Sequence, residues 1–234
     1  MDKTWKLPCY SNLFITKEIN LYDKILLPKK ILSDITKNNQ NIEYPLIFKI
    51  TFESKNICAC VLEFTDDDKL FMPYWLMKNF YNIKEGDEVS IKLTKVKKGT
   101  LVKLRPQTTD FITLDDVLSV LEFNFKNFTI LNKGTTVIVK YFDKEYNIDI
   151  LETNPEEHIC ILDTDLNIDL EKPLDYVEPE YKPKKKSLEY YNSNNDSCTN
   201  TVFTNHNDDS SDDSSDEESE EFVPFSGKGY KLGS

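Results

Sequence analysis

The chain ends with Phe225-Ser226-Gly227-Lys228-Gly229-Tyr230-Lys231-Leu232, directly behind a run of acid and serine. Three of its six glycines lie at or after Gly227. Alternate glycines let a backbone approach another closely and adopt dihedrals closed to other residues. Phe225 and Leu232 bracket them with apolar anchors. That spacing fits a short linear ligand, one that adds to a sheet edge while its anchors fill pockets. Just upstream, Asp208 to Glu221 holds nine acidic residues and no basic one, interrupted by serine pairs. The plain reading is a solubilising spacer. The functional reading is a substrate for acid-directed serine kinases: phosphates on Ser210, Ser211, Ser214 and Ser215 would add charge beside the ligand and speed its approach to a basic partner.

Other residues with chemical potential are read as structural. The five cysteines, at 9, 58, 60, 160 and 198, form no C-x-x-C pair, so neither a disulfide framework nor a zinc ribbon is expected. Cys58 and Cys60 sit two apart in a strand-like run, as small buried hydrophobes. His158 follows a turn at Asn154-Pro155-Glu156-Glu157, with no nucleophile motif nearby; His206 lies in a polar segment. Asp163-Thr164-Asp165-Leu166-Asn167-Ile168-Asp169 imitates the start of a calcium loop. The sixth and twelfth positions are Ile168 and Leu174 rather than Gly and Glu, so an alternating strand is the better reading. Phosphate-cradling glycine motifs do not occur. No catalytic residue, metal or cofactor is expected. Phe71, Trp75, Phe80 and Tyr81 read as core packing.

Positioning these residues needs ordered elements, and composition separates the chain into regions. The net charge of -12 comes mostly from the acidic run; the remainder is within about three charges of neutral. That excludes the concentrated basic face of a nucleic-acid binder. Lys182 to Lys186 (KPKKK) reads as a solvated linker. Met1 to Tyr10 has no apolar leader core, and no apolar stretch is long enough to span a membrane. A cytoplasmic or nuclear, reducing setting is expected.

Four segments follow. Residues 10–107 carry strand-like runs at Lys24–Leu27, Leu46–Phe52, Ile57–Phe64, Glu88–Val96 and Thr100–Leu104. Turns fall at Gly86-Asp87 and Gly99-Thr100, and short helices at Lys29–Thr36 and Pro73–Phe80, where Pro opens the first turn. This mixture suggests a β-barrel with embedded helices. Residues 111–180 open on a helix capped by Thr113, with Asp115 and Asp116 in its first turn and Leu114, Val117, Leu118, Leu121 and Phe125 on one face. Strands around Thr135–Tyr141, Glu145–Leu151 and His158–Leu162 follow, suggesting a small α+β unit. Residues 182–221 have too little apolar content to offset their ordering entropy, so disorder is expected. Residues 222–234 hold the linear ligand.

Several strings stand out in order along the chain: Asp23-Lys24-Ile25-Leu26-Leu27-Pro28, Tyr44-Pro45-Leu46-Ile47-Phe48-Lys49, Val61-Leu62-Glu63-Phe64 and Phe71-Met72-Pro73-Tyr74-Trp75-Leu76-Met77-Lys78-Asn79. Arg105-Pro106-Gln107, Asp110-Phe111, Val120-Leu121-Glu122, Asn127-Phe128 and Glu152-Thr153-Asn154-Pro155 follow. In type and order these strings resemble the ubiquitin fusion degradation protein 1 family. The resemblance covers about 10–180 plus the terminal motif. It implies a double-psi β-barrel, a smaller α+β subdomain and a disordered acidic tail. It also implies polyubiquitin binding by the folded part, and no residue is carried over to that surface. The family's SHP box, F-x-G-x-G-x-x-L, is matched by Phe225, Gly227, Gly229 and Leu232. This implies docking on the N-terminal domain of the valosin-containing AAA unfoldase, hence a non-enzymatic adaptor for ER-associated degradation, peripheral at the ER membrane through partners.

The resemblance further implies a partner, nuclear protein localisation protein 4, which family members bind through a segment beyond the box; the chain given stops at Gly233-Ser234. Two alternatives stand beside this reading. An adaptor of an organelle membrane-translocation system would carry a targeting leader, and the given chain shows none. A double-psi-barrel hydrolase of the aspartic-protease kind would need an Asp-Thr/Ser-Gly tripeptide, which the sequence lacks.

Overall fold

The structure, a computed structural model, describes residues 3–13, 22–38, 42–178 and 230–231. The first elements are β1 (Thr4–Ser11), β2 (Lys24–Pro28), α1 (Lys29–Asn38), β3 (Ile47–Phe52), β4 (Lys55–Thr65), β5 (Leu70–Met72), α2 (Tyr74–Lys78) and β6 (Glu88–Thr94). Six strands close into a barrel in the order β1-β5-β2-β4-β3-β6. Two pairings, β1 with β5 and β2 with β4, are parallel. This is the closed double-psi class of barrel that the resemblance implied. The barrel fills because its strands alternate. In β1, Leu7, Cys9 and Ser11 are buried, while Thr4 and Lys6 face water. Ile31 and Ile35 of α1, one turn apart, are buried too. Pro73 caps α2, whose Trp75, Leu76 and Met77 point inward.

The remaining elements are β7 (Leu101–Pro106), α3 (Val117–Phe125), β8 (Ile130–Asn132), β9 (Thr136–Tyr141), β10 (Lys144–Asn154), β11 (His158–Cys160), β12 (Asn167–Leu170) and β13 (Tyr230–Lys231). They build a five-stranded sheet, β13-β12-β7-β10-β9, and a β8–β11 pair. The strand run at Thr100–Leu104 therefore leaves the barrel: β7 pairs antiparallel with β10 and parallel with β12. Both partners lie far ahead in sequence, so local pattern could not place it. Three further expectations change. Asp116 rather than Thr113 caps α3, its carboxylate accepting from the Ser119 N–H at 2.9 Å. Thr113 instead donates to the Asp110 carbonyl beside a 3-10 turn at Thr109–Phe111. The stretch 163–169 is strand only from Asn167; Asp163, at φ 49°, turns the chain. Tyr81 is exposed, whereas Trp75 and Phe80 are core.

One hydrophobic core runs through both parts, from Leu7 in β1 to Ile168 in β12. Phe128 sits at the join, its ring near Trp75 of the barrel (5.8 Å between centroids), Phe125 of α3 (6.0 Å) and Tyr22 (6.2 Å). Gly99 lies where the chain crosses from one part to the other. A Cβ there would stand 2.6 Å from the Ile159 Cδ1 and 3.1 Å from the Leu166 Cδ1, so the glycine backbone packs directly on those two side chains. Contacts divide the chain into Met1–Tyr176 with Phe225–Ser234, and Val177–Pro224; of the second unit only Val177 and Glu178 are described, both exposed. The segment 182–221, its serines, the KPKKK cluster, Cys198 and His206 lie outside the described residues.

Candidate functional site

Of the terminal box, Phe225, Gly227, Gly229 and Leu232 lie outside the described residues. Its intervening Tyr230 and Lys231 form β13, the outermost strand of the five-stranded sheet, which pairs antiparallel with β12: Ile168 faces Tyr230 and Asn167 faces Lys231. Of the segment 225–232, these two residues alone are described, and they pair with a sheet edge through their backbone.

The folded part presents a surface built where barrel and second subdomain meet. Asp23, only 1% exposed, ends the approach to β2. Its carboxylate accepts from the Thr129 and Ile130 N–H groups at 2.9 and 2.7 Å and pairs with the Lys24 ammonium at 2.9 Å. Lys24 in turn donates to the Thr129 hydroxyl. Burial pushes the Asp23 carboxyl above the usual range, against the pull of Lys24 and the two N–H groups. Three asparagines act alike. The Asn132 amide accepts from the Cys58 N–H at 2.8 Å and donates to the Cys58 carbonyl at 3.0 Å, on the part of β4 that β2 does not cover. Asn79 does the same at Thr136 and Asn124 at Lys140, both on β9, a rim of the sheet. Each primary amide stands in for a neighbouring strand.

Beside Asn79 opens a groove of about 430 Å³ with Leu13, Tyr74, Trp75, Gln107, Thr136 and Ile138 in its walls. Leu13 and Tyr74 are each 45% exposed, and the Lys78 ammonium lies 4.6 Å from the Tyr74 ring centre. The Trp75 indole N–H is buried without a hydrogen-bond partner among the described residues. Further large apolar groups face water at Tyr81, Phe123 and Phe142. Such surfaces suit recognition of another protein rather than of a small ion.

The groups with reactive potential are held quiet. Burial pushes the Cys9 thiol up to about 11, with Asp87 adding to it, and the Cys58 thiol up to about 12; Cys60 is raised for the same reason. A protonated thiol is a poor nucleophile. Burial, with Lys49 adding to it, lowers the His158 pKa, and its Nδ1 has no partner among the described residues. Among the described residues no three His, Cys, Asp or Glu side chains converge as a metal site. No helix among them is long and apolar enough to cross a membrane.

Sequence reasoning missed β1, Asp23 and the three asparagines as organising features. Pro8 and the polar start hid β1. Asp23 carried a signal in the Asp23-Lys24-Ile25 string, an acid abutting an apolar strand. The asparagines carried none, because their partners are backbone groups distant in sequence.

Residues 1–97 match the family model Ubiquitin fusion degradation protein UFD1, N-terminal subdomain 1, and residues 98–173 match its N-terminal subdomain 2. The boundary between them falls just before Gly99 at the crossing. The chain is 34% identical over 160 residues to Ubiquitin recognition factor in ER-associated degradation protein 1 of Homo sapiens, covering 67% of this chain and 51% of that one. It is 36% identical over 174 residues to Ubiquitin fusion degradation protein 1 of Saccharomyces cerevisiae (72% and 47%), and 31% over 179 residues to the Dictyostelium discoideum homolog (74% and 53%). The chain spans about half the length of the curated relatives it matches. With both subdomain models matched end to end across the barrel and the sheet that follows it, the chain belongs to the ubiquitin fusion degradation protein 1 family.

Proposed function

We propose that the protein is an adaptor of ubiquitin-dependent degradation. Its two folded subdomains hold polyubiquitinated clients, and its terminal box docks them on the N-terminal domain of a valosin-containing AAA unfoldase. ATP hydrolysis belongs to the unfoldase, and a second cofactor of the nuclear protein localisation protein 4 kind shares the complex. Work at the ER surface then comes through partners.

The observation that carries the reading is continuous subdomain matching from residue 1 to 173. Relatives across that span are named ubiquitin recognition factors in ER-associated degradation. The box adds support, since Phe225, Gly227, Gly229 and Leu232 occupy all four fixed positions of the docking pattern. A short linear ligand loses entropy on binding, so modest affinity strengthened by multivalency is expected.

The test is a pull-down with the unfoldase N-terminal domain and, separately, with polyubiquitin. Phe225→Ala and Leu232→Ala should each weaken the first interaction about tenfold or more, with the second and the melting temperature unchanged. Undiminished unfoldase binding by both variants sinks the docking assignment.

A further inference from the structure

Without β13 the sheet β12-β7-β10-β9 has two rims, and the chain treats them differently. At β9, Asn79 and Asn124 cover the backbone of Thr136 and Lys140. At β12, the Asn167 and Glu171 N–H groups donate inward, to the Thr100 and Leu104 carbonyls at 3.1 and 2.8 Å. Strand alternation then directs the Ile168 and Leu170 N–H groups outward. Meeting that outer rim is β13, whose Tyr230 and Lys231 are the variable positions between Gly229 and Leu232 of the docking box.

We propose that the β12 rim is a docking site for this chain's own terminal box, so that in the free protein the box is paired in cis and shielded from the unfoldase. The shielding rests on the box having the role proposed above; the pairing does not.

Direction supports the assignment. An antiparallel strand passing from Ile168 to Asn167 leads on to Leu166, and continuing the register would carry Leu232 there. Leu166 lines a cavity of about 590 Å³ with Phe125, Phe128, Ile161 and Leu162, a size and lining suited to an apolar anchor. Charge agrees. Phe225 to Leu232 carries Lys228 and Lys231 and no acid, whereas Asp163 to Glu171 carries four acids and no base. Asp169 and Glu171 pair with Lys103, so their share is a field rather than direct contacts.

The connection from β12 to β13 is about sixty residues. A linker of that length holds the box near the rim at an effective concentration of roughly millimolar order, so weak pairing suffices. A box docked about four-fifths of the time binds an outside partner about five-fold more weakly.

Amide hydrogen exchange in the full chain tests the pairing. The Ile168 N–H should exchange about five-fold more slowly in the unaltered protein than in Tyr230→Pro, which removes a backbone donor outside the folded subdomains. Leu162→Asp, altering a residue of the cavity wall that is 39% exposed, should speed Ile168 exchange in the same direction. Equal exchange in all three proteins overturns the pairing. Protection that rises with protein concentration overturns the cis assignment in favour of a second copy's tail. The shielding is read by comparing a peptide of residues 222–234 with the full chain against the unfoldase N-terminal domain. The peptide should bind about five-fold more tightly, and Leu162→Asp should recover most of that difference in the full chain. Equal binding of peptide and full chain overturns the shielding. A peptide that does not bind at all overturns the docking role instead, while the exchange result still decides the pairing.

Discussion

Asp23 shows how a single side chain can hold two subdomains in register. Its carboxylate is almost wholly withdrawn from water, and it answers two backbone donors of the second subdomain plus the Lys24 ammonium. Asp23→Ala would leave the Thr129 and Ile130 N–H groups buried without an acceptor and Lys24 without its counter-charge. Breaking such a buried pair costs about 3 kcal/mol or more, which chemical denaturation should read directly. A loss below about 1 kcal/mol would mean that water replaces the carboxylate. His158 makes a different prediction. It is held neutral by burial with its pKa lowered, so its contribution to stability is complete above the ordinary histidine value of about 6.5 and is lost as pH falls toward the lowered one. Unfolding at pH 7.5 and pH 5.5 should therefore show a larger acid-side loss in the unaltered protein than in His158→Gln. Equal losses would show that the imidazole finds a partner when it takes up its proton.

At the scale of elements, the recurring problem is the exposed strand rim, an invitation to unwanted pairing. The barrel removes most of its rims by closure, and Asn132 covers the stretch of β4 that β2 does not reach. On β9, Asn124 and Asn79 do the same from α3 and from the residue after α2. Asn124→Ala should unpair the Lys140 N–H and C=O. We expect a loss of about 1–3 kcal/mol and a greater tendency to self-associate, seen by light scattering at rising concentration. Unchanged stability with no association would show that the rim is protected without the amide. These devices also explain what the sequence disclosed. Strands β2, β3, β4, β6, β9 and β10 were legible from alternation and their bounding turns. So was α2, from its opening Pro73. The start of α3 was misplaced because Thr113 and Asp116 are both good capping residues. Local chemistry cannot show that Thr113 is engaged by the Asp110 carbonyl. Strand β7 was legible as a strand and misassigned to a sheet, because its partners β10 and β12 are set by tertiary packing. The box was legible residue by residue, and the rim that meets it was not, since Asn167 to Leu170 reads only as a short polar-apolar alternation.

Across the whole molecule, the question is whether two subdomains that match two family models also unfold as two. The physical argument says they do not. Their buried side chains form one continuous core. Phe128 belongs to the second subdomain by sequence, yet its ring packs on Trp75 of the barrel as well as on Phe125. Asp23 and Asn132 add buried polar links across the same join, and Asn79 a part-buried one. Separating the halves would expose that core and strand those polar groups together, so partial unfolding gains little entropy for a large loss of contacts. A single calorimetric transition is expected, with van't Hoff and calorimetric enthalpies in agreement. Phe128→Ala should lower stability by about 3–5 kcal/mol, the usual loss for a large aromatic removed from a packed site. It should shift the one transition rather than split it. Removing residues 182–234 should leave that transition in place, because every residue of the described core, from Leu7 to Ile168, lies outside the segment. Two resolved transitions in the unaltered protein would show that the join is a docking surface between independent domains, and the links at Asp23, Asn79 and Asn132 would then have to be read as interface contacts.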